Sequence, residues 1–499
     1  MLVVIVFLLF NGCGVQTEVS SIKSLDLRKT KVWGPGIQTP QAVMPARYFF
    51  IQAVDSKGKD IPTSRPEKYE INIQGSSRFG ACRYSLDQID RKDGSVIVRY
   101  KMVDVCRNAE IHIKYRNEHV AKSPYSAGTI YSESCNCPVD VDEYLATNEC
   151  SPQKQIDDDL SPFRKVNFTN IRAKIIQKYD LPNSVSLCNY VVRNNEIFRQ
   201  CFGQYTGFKM FMDAVLISLV KKVKLPDTEF FINLGDWPLM KKGGQTRTTG
   251  PYPIFSWCGS EDTFDIVLPT YDITESTLQN MGRVTLDMLS VQRAGKSWTE
   301  KVDRAFFRGR DSRRERLDLI DIARKNPDIF NVSLTNFFFF RDEEEKYGPK
   351  VAHISLMEFF DYKYQINLDG TVAAYRLPYL LAGSSLVLKQ DSPFYEHFYK
   401  KLIPNHHYIP FKRDLSDLTE KVLWAMKNER KVLEIVKNAQ RFTRENLLPK
   451  DIYCYHVLLL KQWSQNLVEV NIQPHMDRVP MPASDCDCHD ESSQLRDEL

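Results

Sequence analysis

The chain has 499 residues, more than one hydrophobic core usually organises, so two or three domains are expected. Hydrophobic residues make up 42% and charged residues 26%, which is typical of a globular protein and excludes a fibrous or largely disordered one. The 67 basic and 63 acidic residues leave a net charge of +4, which gives no support for nucleic-acid binding.

The chain begins with a short apolar run. Residues 2–10 are too few to span a bilayer as a helix, and small residues follow them. This pattern predicts a signal peptide over residues 1–16, with a buried N-terminal strand as the alternative. No other apolar run approaches membrane-spanning length, so no membrane span is expected.

Short strands with turn signals between them occupy residues 28–131. Residues 48–54 are β-rich, Asp93-Gly94 is a hairpin signal, and residues 110–115 alternate apolar with polar side chains. The spacing predicts a β-sandwich of immunoglobulin type. Cys82 and Cys106 can bridge two of its strands, although spacing alone does not decide this.

The end of this unit resembles a known module. Residues 111–125 (Ile-His-Ile-Lys-Tyr-Arg-Asn-Glu-His-Val-Ala-Lys-Ser-Pro-Tyr) are similar to the end of a filamin repeat, and Asp93-Gly94-Ser95 fits the same pattern. The resemblance implies a filamin-type domain that mediates interactions and has no catalytic role.

Residues 132–165 are interpreted as a cysteine-containing linker. Cys135, Cys137 and Cys150 have no histidine pair nearby, which favours disulfides over a metal site. The chain has twelve cysteines, and removing Cys13 with the signal peptide leaves an odd number. At least one is therefore expected to be free or paired externally.

Strands and helices alternate from residue 166 to residue 480. This alternation predicts parallel sheets, and the length suits two doubly wound, Rossmann-like halves with a cleft between them. Residues 414–437 and 450–465 have the periodicity of amphipathic helices. Asn167 and Asn331 lie in acceptor sequons for N-glycosylation.

The apolar run at residues 230–234 predicts a buried strand, and Gly235-Asp236-Trp237-Pro238 predicts the loop that ends it. Ligands of open α/β sheets bind at the carboxyl ends of strands. Asp236 is therefore a candidate catalytic base, and a turn residue that binds local backbone groups is the alternative.

Two arginines also follow predicted strands. Arg308 and Arg376 lie near strand–loop–helix junctions, and guanidinium groups bind phosphate oxygens with two parallel hydrogen bonds. They are expected to hold a diphosphate. Arg313, Arg314 and Arg316 belong to a mixed-charge run and are interpreted as surface ion pairs.

Several motifs are missing from the sequence. It contains no Walker A loop, no G-x-G-x-x-G and no H-E-x-x-H, and none of its D-x-D pairs follows an apolar strand. An enzyme that holds a nucleotide diphosphate with arginines, without a metal or other cofactor, is the consistent interpretation.

Four stretches of the second unit resemble the capsule-associated (CAP10-type) glycosyltransferase family. They are Asn233-Leu234-Gly235-Asp236-Trp237-Pro238, Arg308-Gly309-Arg310-Asp311-Ser312, Tyr364-Gln365-Ile366-Asn367 and Asp369-Gly370-Thr371-Val372-Ala373-Ala374-Tyr375-Arg376-Leu377. With a filamin-type domain in front, the whole chain resembles the protein O-glucosyltransferases of the endoplasmic reticulum.

The resemblance implies an inverting, metal-independent enzyme of the GT-B fold. It would transfer glucose from UDP-glucose, or xylose from UDP-xylose, to a serine of a folded EGF-like repeat such as those of Notch and fibrillin. Asp236 would be the general base and Cys135–Cys454 a long-range disulfide. The remaining implied contacts are those to the UDP-sugar (Arg308, Thr371, Val372, Ala373, Ala374, Tyr375, Arg376) and those to the acceptor (Pro269, Thr270, Tyr271, Asp272).

Residues 481–499 form a predicted tail that ends in Arg496-Asp497-Glu498-Leu499. This ending is a close variant of the luminal retention signal, and an acidic disordered tail is the alternative. Together with the signal peptide it predicts residence in the lumen of the endoplasmic reticulum and a retention receptor as partner.

Two other functions stay open at this point. One is a luminal binding protein or chaperone with an inactive transferase fold, which the filamin-type domain keeps in consideration. The other is a transferase that uses another sugar or another acceptor, because spacing does not distinguish glucose from xylose.

Overall fold

The computed structural model describes residues 25–37, 47–62, 67–91, 93–182, 186–243, 251–278, 288–291 and 296–484. The predicted signal peptide and the predicted retention signal lie outside the described residues. Within the described ranges, no helix is both long and apolar enough to cross a membrane.

The N-terminal domain is an antiparallel β-sandwich, which confirms the prediction. One sheet has the order β1-β2-β6-β5, and the other has the order β4-β3-β7-β8, with β9 also paired to β7. The Cys82–Cys106 disulfide joins the segment before β5 to β7. Its strands are β1 (Lys31–Trp33), β2 (Arg47–Gln52), β3 (Glu70–Ser77), β4 (Gly80–Ala81), β5 (Tyr84–Asp90), β6 (Ser95–Met102), β7 (Cys106–Tyr115), β8 (Glu118–His119) and β9 (Tyr125–Ile130).

The rest of the chain forms two α/β lobes. The first lobe contains α1 (Val141–Thr147), α2 (Lys154–Leu160), α3 (Phe168–Tyr179), β10 (Leu187–Arg193), β11 (Glu196–Phe202), α4 (Lys209–Val220), β12 (Thr228–Asn233), β13 (Ile254–Ser256), β14 (Gly259–Ser260), β15 (Ile266–Val267), α5 (Tyr271–Leu278) and α6 (Met288–Val291).

The second lobe begins with a 3₁₀ turn at Trp298–Glu300. It continues with β16 (Val302–Arg310), α7 (Arg314–Lys325), β17 (Phe330–Asn336), a 3₁₀ turn (Arg341–Glu343), α8 (Glu344–Tyr347), α9 (Leu356–Phe359), β18 (Tyr362–Asn367), α10 (Leu377–Ala382), β19 (Leu386–Gln390), β20 (Phe394–Tyr395), a 3₁₀ turn (Tyr399–Lys401), β21 (Ile409–Phe411), α11 (Leu418–Lys427) and α12 (Glu429–Asn446). The chain then returns to the first lobe with α13 (Pro449–Ser464), whose Tyr453, Leu459 and Trp463 lie in the first-lobe core, and with β22 (Asp477–Arg478), which pairs with β11.

The two lobes differ in their sheets. The second-lobe sheet, ordered β17-β16-β18-β19-β21, is parallel throughout, as predicted. The first-lobe sheet, ordered β15-β13-β12-β10-β11-β22, is parallel from β15 to β12 and antiparallel from β12 onwards. Its antiparallel half arises because a tight turn at Asn194-Asn195 joins β10 to β11 as a hairpin.

Burial explains why the β12 sequence forms a central strand. All six of its residues are buried, and β-branched and aromatic side chains suit a strand covered on both faces. Phe230 stacks between Tyr190 of β10 and Phe255 of β13, with ring centroids 5.7 and 4.9 Å away. This stack fixes the strand whose carboxyl end carries Asp236.

Amphipathic helices cover the second lobe. In α12, Val432, Ile435, Val436 and Ala439 recur at helical spacing and are buried. The amphipathic helix predicted over residues 414–437 is two helices, α11 and α12. Asn428 ends α11 because its backbone N–H bonds to Ala425 O and its side chain bonds to Trp424 O.

The sandwich packs directly on the two α/β lobes. Tyr48 and Phe50 of β2 share a hydrophobic core with Leu448, next to α13, and with Phe442 of α12. Residues 132–165, interpreted as a linker from the sequence, hold α1 and α2, and Tyr144 belongs to the core of the first lobe.

The long-range disulfide predicted between Cys135 and Cys454 is wrong. Cys454 of α13 is bonded to Cys150, which follows α1, with a Cα–Cα distance of 5.3 Å. Cys135 and Cys137 are also disulfide-bonded, as the absence of a histidine pair indicated. Cys258 is a buried free thiol, in agreement with the odd cysteine count.

Candidate active site

A cavity of about 460 Å³ lies where the carboxyl ends of β12, β16 and β18 face one another. Its volume is in the range of small-molecule sites. It is lined by Asp236, Tyr271, Asp272, Arg308, Gly309, Arg310, Ser312, Arg316, Thr335, His353, Ile354, Leu356, Phe359, Gly370, Thr371, Val372, Ala373, Ala374, Tyr375 and Arg376.

Hydrogen bonds from Asn233 shape the loop that carries Asp236. The Asn233 side chain accepts from Gly235 N at 2.9 Å and donates to Trp237 O at 2.6 Å. The loop therefore turns through an Asx bond, and Gly235 does not adopt a positive φ. The sequence predicted this loop from Gly235-Asp236-Trp237-Pro238, and the role of Asn233 was missed.

A buried carboxylate anchors the chain after this loop. Asp265 accepts hydrogen bonds from Leu239 N and Met240 N and from the Ser256 hydroxyl. The Ser256 hydroxyl in turn accepts from Asn233 Nδ2 at 3.2 Å. Asn233 of β12, Ser256 of β13 and Asp265, which directly precedes β15, thus hold both ends of the Asp236 loop in place.

The Asp236 carboxylate is half-buried at the cavity wall. Tyr271 donates a hydrogen bond to Oδ1 at 3.2 Å, and no described residue hydrogen-bonds to Oδ2. Burial raises the pKa of Asp236 above its ordinary value, while the Tyr271 hydrogen bond and the positive charge of Arg310 oppose this rise. A carboxylate with one free oxygen and a raised pKa can accept a proton from a bound hydroxyl.

A second carboxylate lies nearby. Burial raises the pKa of Asp272 to about 6, and the negative charges of Glu275 and Asp236 add to the rise. Asp272 and Tyr271 line the cavity, whereas Pro269 and Thr270 are buried and do not. The predicted acceptor contacts are therefore divided between the cavity wall and the protein interior.

Arg316 lines the side of the cavity opposite Asp236. Its guanidinium is buried and donates to three backbone carbonyls, those of Leu368, Asp369 and Arg310. The interpretation of Arg316 as a surface ion-pairing residue is wrong. Helical spacing could have indicated that Arg316 is buried, because it lies one turn before Ile320 on the buried face of α7.

Arg376 lies beside Arg316. One of its N–H groups donates to Arg308 O at 2.6 Å, and its guanidinium stacks on Phe307 and Phe359. Burial lowers the pKa of Arg376 to about 10, so the side chain is charged at neutral pH. Most of its N–H groups have no partner among the described residues and face the cavity.

Arg308 lines the cavity in a different way. It donates to Phe307 O and to both the backbone and the side-chain oxygen of Asn331. The Asn331 amide nitrogen also donates to Tyr362, so a glycan attached to that nitrogen at this sequon would disrupt this contact. Asn167, the other sequon, caps α3 by accepting from Thr169 N.

The donor-contact segment predicted from the family lies at the cavity rim. Gly370 N donates to Val372 O, which closes a turn after β18, and Thr371 to Arg376 all line the cavity. Val372 and Ala373 pack on Cys258 of the first lobe. Small side chains in this segment let a ligand approach the backbone closely.

Sequence reasoning missed one wall of the cavity. Thr335, His353, Ile354 and Leu356 line it beside Phe359. They belong to β17, α9 and the connection between them, and no motif or periodicity marks them.

In the described ranges, no group of three or more His, Cys, Asp or Glu side chains could hold a metal ion. Metal independence stays a prediction.

Comparisons with known proteins identify both units. Residues 146–498 match glycosyl transferase family 90, and residues 24–126 match the filamin/ABP280 repeat. The chain is similar to protein O-glucosyltransferase 2 of Danio rerio, with 46% identity and 94% of each chain covered. It is similar to protein O-glucosyltransferase 3 of Homo sapiens, with 43% identity and 92% of each covered.

A shorter human relative matches a smaller part of the chain. Protein O-glucosyltransferase 1 of Homo sapiens is 26% identical over 69% of this chain and 88% of its own length. The matches to the first two relatives run through both the sandwich and the two lobes. The chain therefore belongs to glycosyl transferase family 90, as a homologue of the protein O-glucosyltransferases with an N-terminal filamin repeat.

Proposed function

We propose that this chain is an inverting protein O-glucosyltransferase, which moves glucose from UDP-glucose to a serine of a folded EGF-like repeat. The proposal rests on one observation, which is that a carboxylate and two arginines line the same cavity. Asp236 is a carboxylate with a free oxygen, and Arg310 and Arg376 face the same space without a carboxylate partner among the described residues.

The reaction follows from these groups. The serine hydroxyl is a weak nucleophile and needs a base, so Asp236 accepts its proton as the oxygen attacks the anomeric carbon. The bond between that carbon and the β-phosphate oxygen breaks, and its electron pair leaves with UDP. A single displacement of this kind inverts the anomeric configuration.

The arginines act on the leaving group. Negative charge grows on the diphosphate as the bond breaks, and positive groups already in position stabilise it without rearranging. Arg376 has free N–H groups for this purpose, Arg316 adds a buried positive charge beneath it, and Arg310 adds a solvent-exposed positive charge at the cavity wall. Arg308 retains a predicted role in donor binding, although Asn331 occupies part of its guanidinium. No metal is assigned to the reaction.

The acceptor and donor are proposed from the relatives. Their names state that they transfer glucose to protein. The EGF-like acceptor, of the Notch or fibrillin type, rests on the family resemblance, as does UDP-xylose as a second donor. Described disulfides such as Cys150–Cys454 and Cys188–Cys201 suit the proposed location in the lumen of the endoplasmic reticulum.

The test is transfer by the purified full chain. It is incubated with UDP-glucose or UDP-xylose and a folded EGF-like repeat, and the mass of the repeat is measured. We expect a gain of one hexose or one pentose. Asp236→Asn keeps the shape of the side chain but removes the base, so transfer is expected to fall by about 10²- to 10⁴-fold. UDP binding, measured by calorimetry, is expected to be unchanged.

Asp227→Asn is the matched control, because Asp227 is an exposed aspartate just before β12, at the end opposite Asp236. Transfer by Asp236→Asn at the wild-type rate would refute the assignment of the base. If the wild-type chain binds UDP but transfers neither sugar, the alternative of an inactive luminal binding protein is favoured.

A further inference from the structure

Tyr271 occupies a fixed position beside the proposed base. Its ring stacks on Phe211 at 5.1 Å and 22° and meets the edges of Trp257 and Tyr375 at 5.7 and 5.5 Å. Phe208 contacts it at 5.2 Å. Aromatic contacts from four side chains therefore set the ring independently of its hydroxyl group.

The hydroxyl group has one described acceptor, which is Asp236 Oδ1 at 3.2 Å. This separation is longer than the usual O–H···O distance, as is common for catalytic hydrogen bonds before a substrate binds. Burial and the neighbouring carboxylates raise the pKa of Tyr271 above its ordinary value. The hydroxyl is therefore protonated at neutral pH and acts as a donor only to Asp236.

A carboxylate can rotate unless one of its oxygens is held. The loop bonds from Asn233 fix the backbone at Asp236, but they do not touch its carboxylate. Tyr271 is the described residue that hydrogen-bonds to that group. Holding Oδ1 leaves Oδ2 directed towards a ligand, and small errors in the placement of a catalytic group cost rate.

We propose that Tyr271 is a positioning residue, whose hydroxyl group holds Oδ1 of Asp236 so that Oδ2 faces the acceptor serine. This inference rests on the proposed function, in which Asp236 is the base. It differs from the contact to the acceptor that the family resemblance implies for Tyr271, because the acting group is the hydroxyl and its target is Asp236.

Tyr271→Phe removes the hydroxyl and keeps the ring contacts. We expect kcat to fall about tenfold, with the KM values for UDP-glucose and for the folded EGF-like repeat unchanged. The acidic limb of the kcat–pH profile is expected to move up by about one pH unit, because the carboxylate loses a hydrogen bond that favours its charged form. The other groups that face Asp236 are Arg310 of β16, Asp272 of α5, Cys258 and Tyr375, and all stay in place.

Tyr190→Phe is the matched control. The Tyr190 hydroxyl donates to Asp213 Oδ1 at 2.7 Å in the same lobe, away from the cavity, so its loss should leave the pH profile unchanged. Should Tyr271→Phe fail to fold, Phe211→Leu weakens the stacking of the Tyr271 ring and gives the second test. The acidic limb is expected to rise in that variant too.

Two results would overturn the proposal. One is a Tyr271→Phe variant with the wild-type kcat and pH profile. The other is a rise in the acceptor KM alone, which would make Tyr271 an acceptor contact. Asp236→Asn, measured in parallel, separates this failure from failure of the proposed function. If that variant transfers glucose at the wild-type rate, the base itself is wrongly assigned.

Discussion

The acidic and basic sides of the cavity are held in opposite ways. Asp236 has one hydrogen-bonded oxygen and one free oxygen, and burial raises its pKa. Arg316, across the cavity, donates to three backbone carbonyls and is buried. A base must keep an oxygen available for a proton, whereas a group that stabilises charge works best when it does not move.

The partners of the arginines matter as much as their number. In the part of the chain that the structure describes, Arg308, Arg316 and Arg376 hydrogen-bond to neutral oxygens and form no ion pair. By contrast, Arg313 pairs with Glu315, and Arg314 pairs with Glu343. Neutral partners position a guanidinium without cancelling its charge, so the field towards a bound diphosphate is retained.

Removing Arg316, the most buried arginine of the cavity wall, should disrupt the basic side. Arg316→Met is expected to weaken UDP binding by about 10- to 100-fold, because the bound diphosphate loses the attraction of a buried positive charge, which water screens poorly. It should also lower the thermal unfolding midpoint, because three buried carbonyls lose their donor. Calorimetry with UDP and a thermal melt measure the two effects.

Arg314→Met is the control for this prediction. Arg314 lies at the start of the same helix, is about half exposed and is ion-paired with Glu343. Its loss is expected to change neither UDP binding nor the melting temperature appreciably. Equal effects of the two substitutions would show that the carbonyl-bonded arginine has no special role.

A change of pH should affect the acidic and the basic side of the cavity differently, without any substitution. The proposed base would work in its deprotonated form, so kcat is expected to fall about tenfold per unit as the pH drops below the raised pKa of Asp236. UDP binding should persist in the same range, because the pKa values of Arg316 and Arg376 are about 9 and 10 and both stay charged. Parallel profiles of kcat and of UDP affinity measure the separation.

Losses of kcat and of UDP affinity at the same pH would contradict this separation. They would indicate instead that acid disrupts the whole cavity. A thermal melt at each pH distinguishes unfolding from titration of Asp236.

Local patterns in the sequence predicted much of this arrangement. The buried run Phe230-Phe231-Ile232 predicted β12, and the polar residue that ends it predicted a site at the carboxyl end of the sheet. The site residues Asp236, Arg308 and Arg376 indeed line one cavity. Fold class followed from the alternation of strands and helices, which reflects the same local periodicity.

Partners that are distant in sequence could not be predicted in this way. Two of the three carbonyls that hold Arg316 come from residues more than 50 positions away, while the two residues before it in sequence are charged. Cys150 and Cys454 are 304 residues apart, and their pairing depends on how α1 packs against α13. The cavity wall at His353 and Ile354 lies in a connection with no periodicity.

The smallest expected effect concerns Arg310, a basic residue of the cavity whose charge acts on Asp236 on the acidic side. Arg310 is exposed, its guanidinium has no hydrogen-bond partner in the described ranges, and its charge lowers the pKa of Asp236. Arg310→Gln should therefore raise the acidic limb of kcat by a few tenths of a pH unit at low salt, and roughly 0.5 M NaCl should abolish the difference by screening. Arg304→Gln, near the other end of β16, is the control. A shift that survives high salt would mean that Arg310 acts by direct contact with the bound substrate and not through its long-range field.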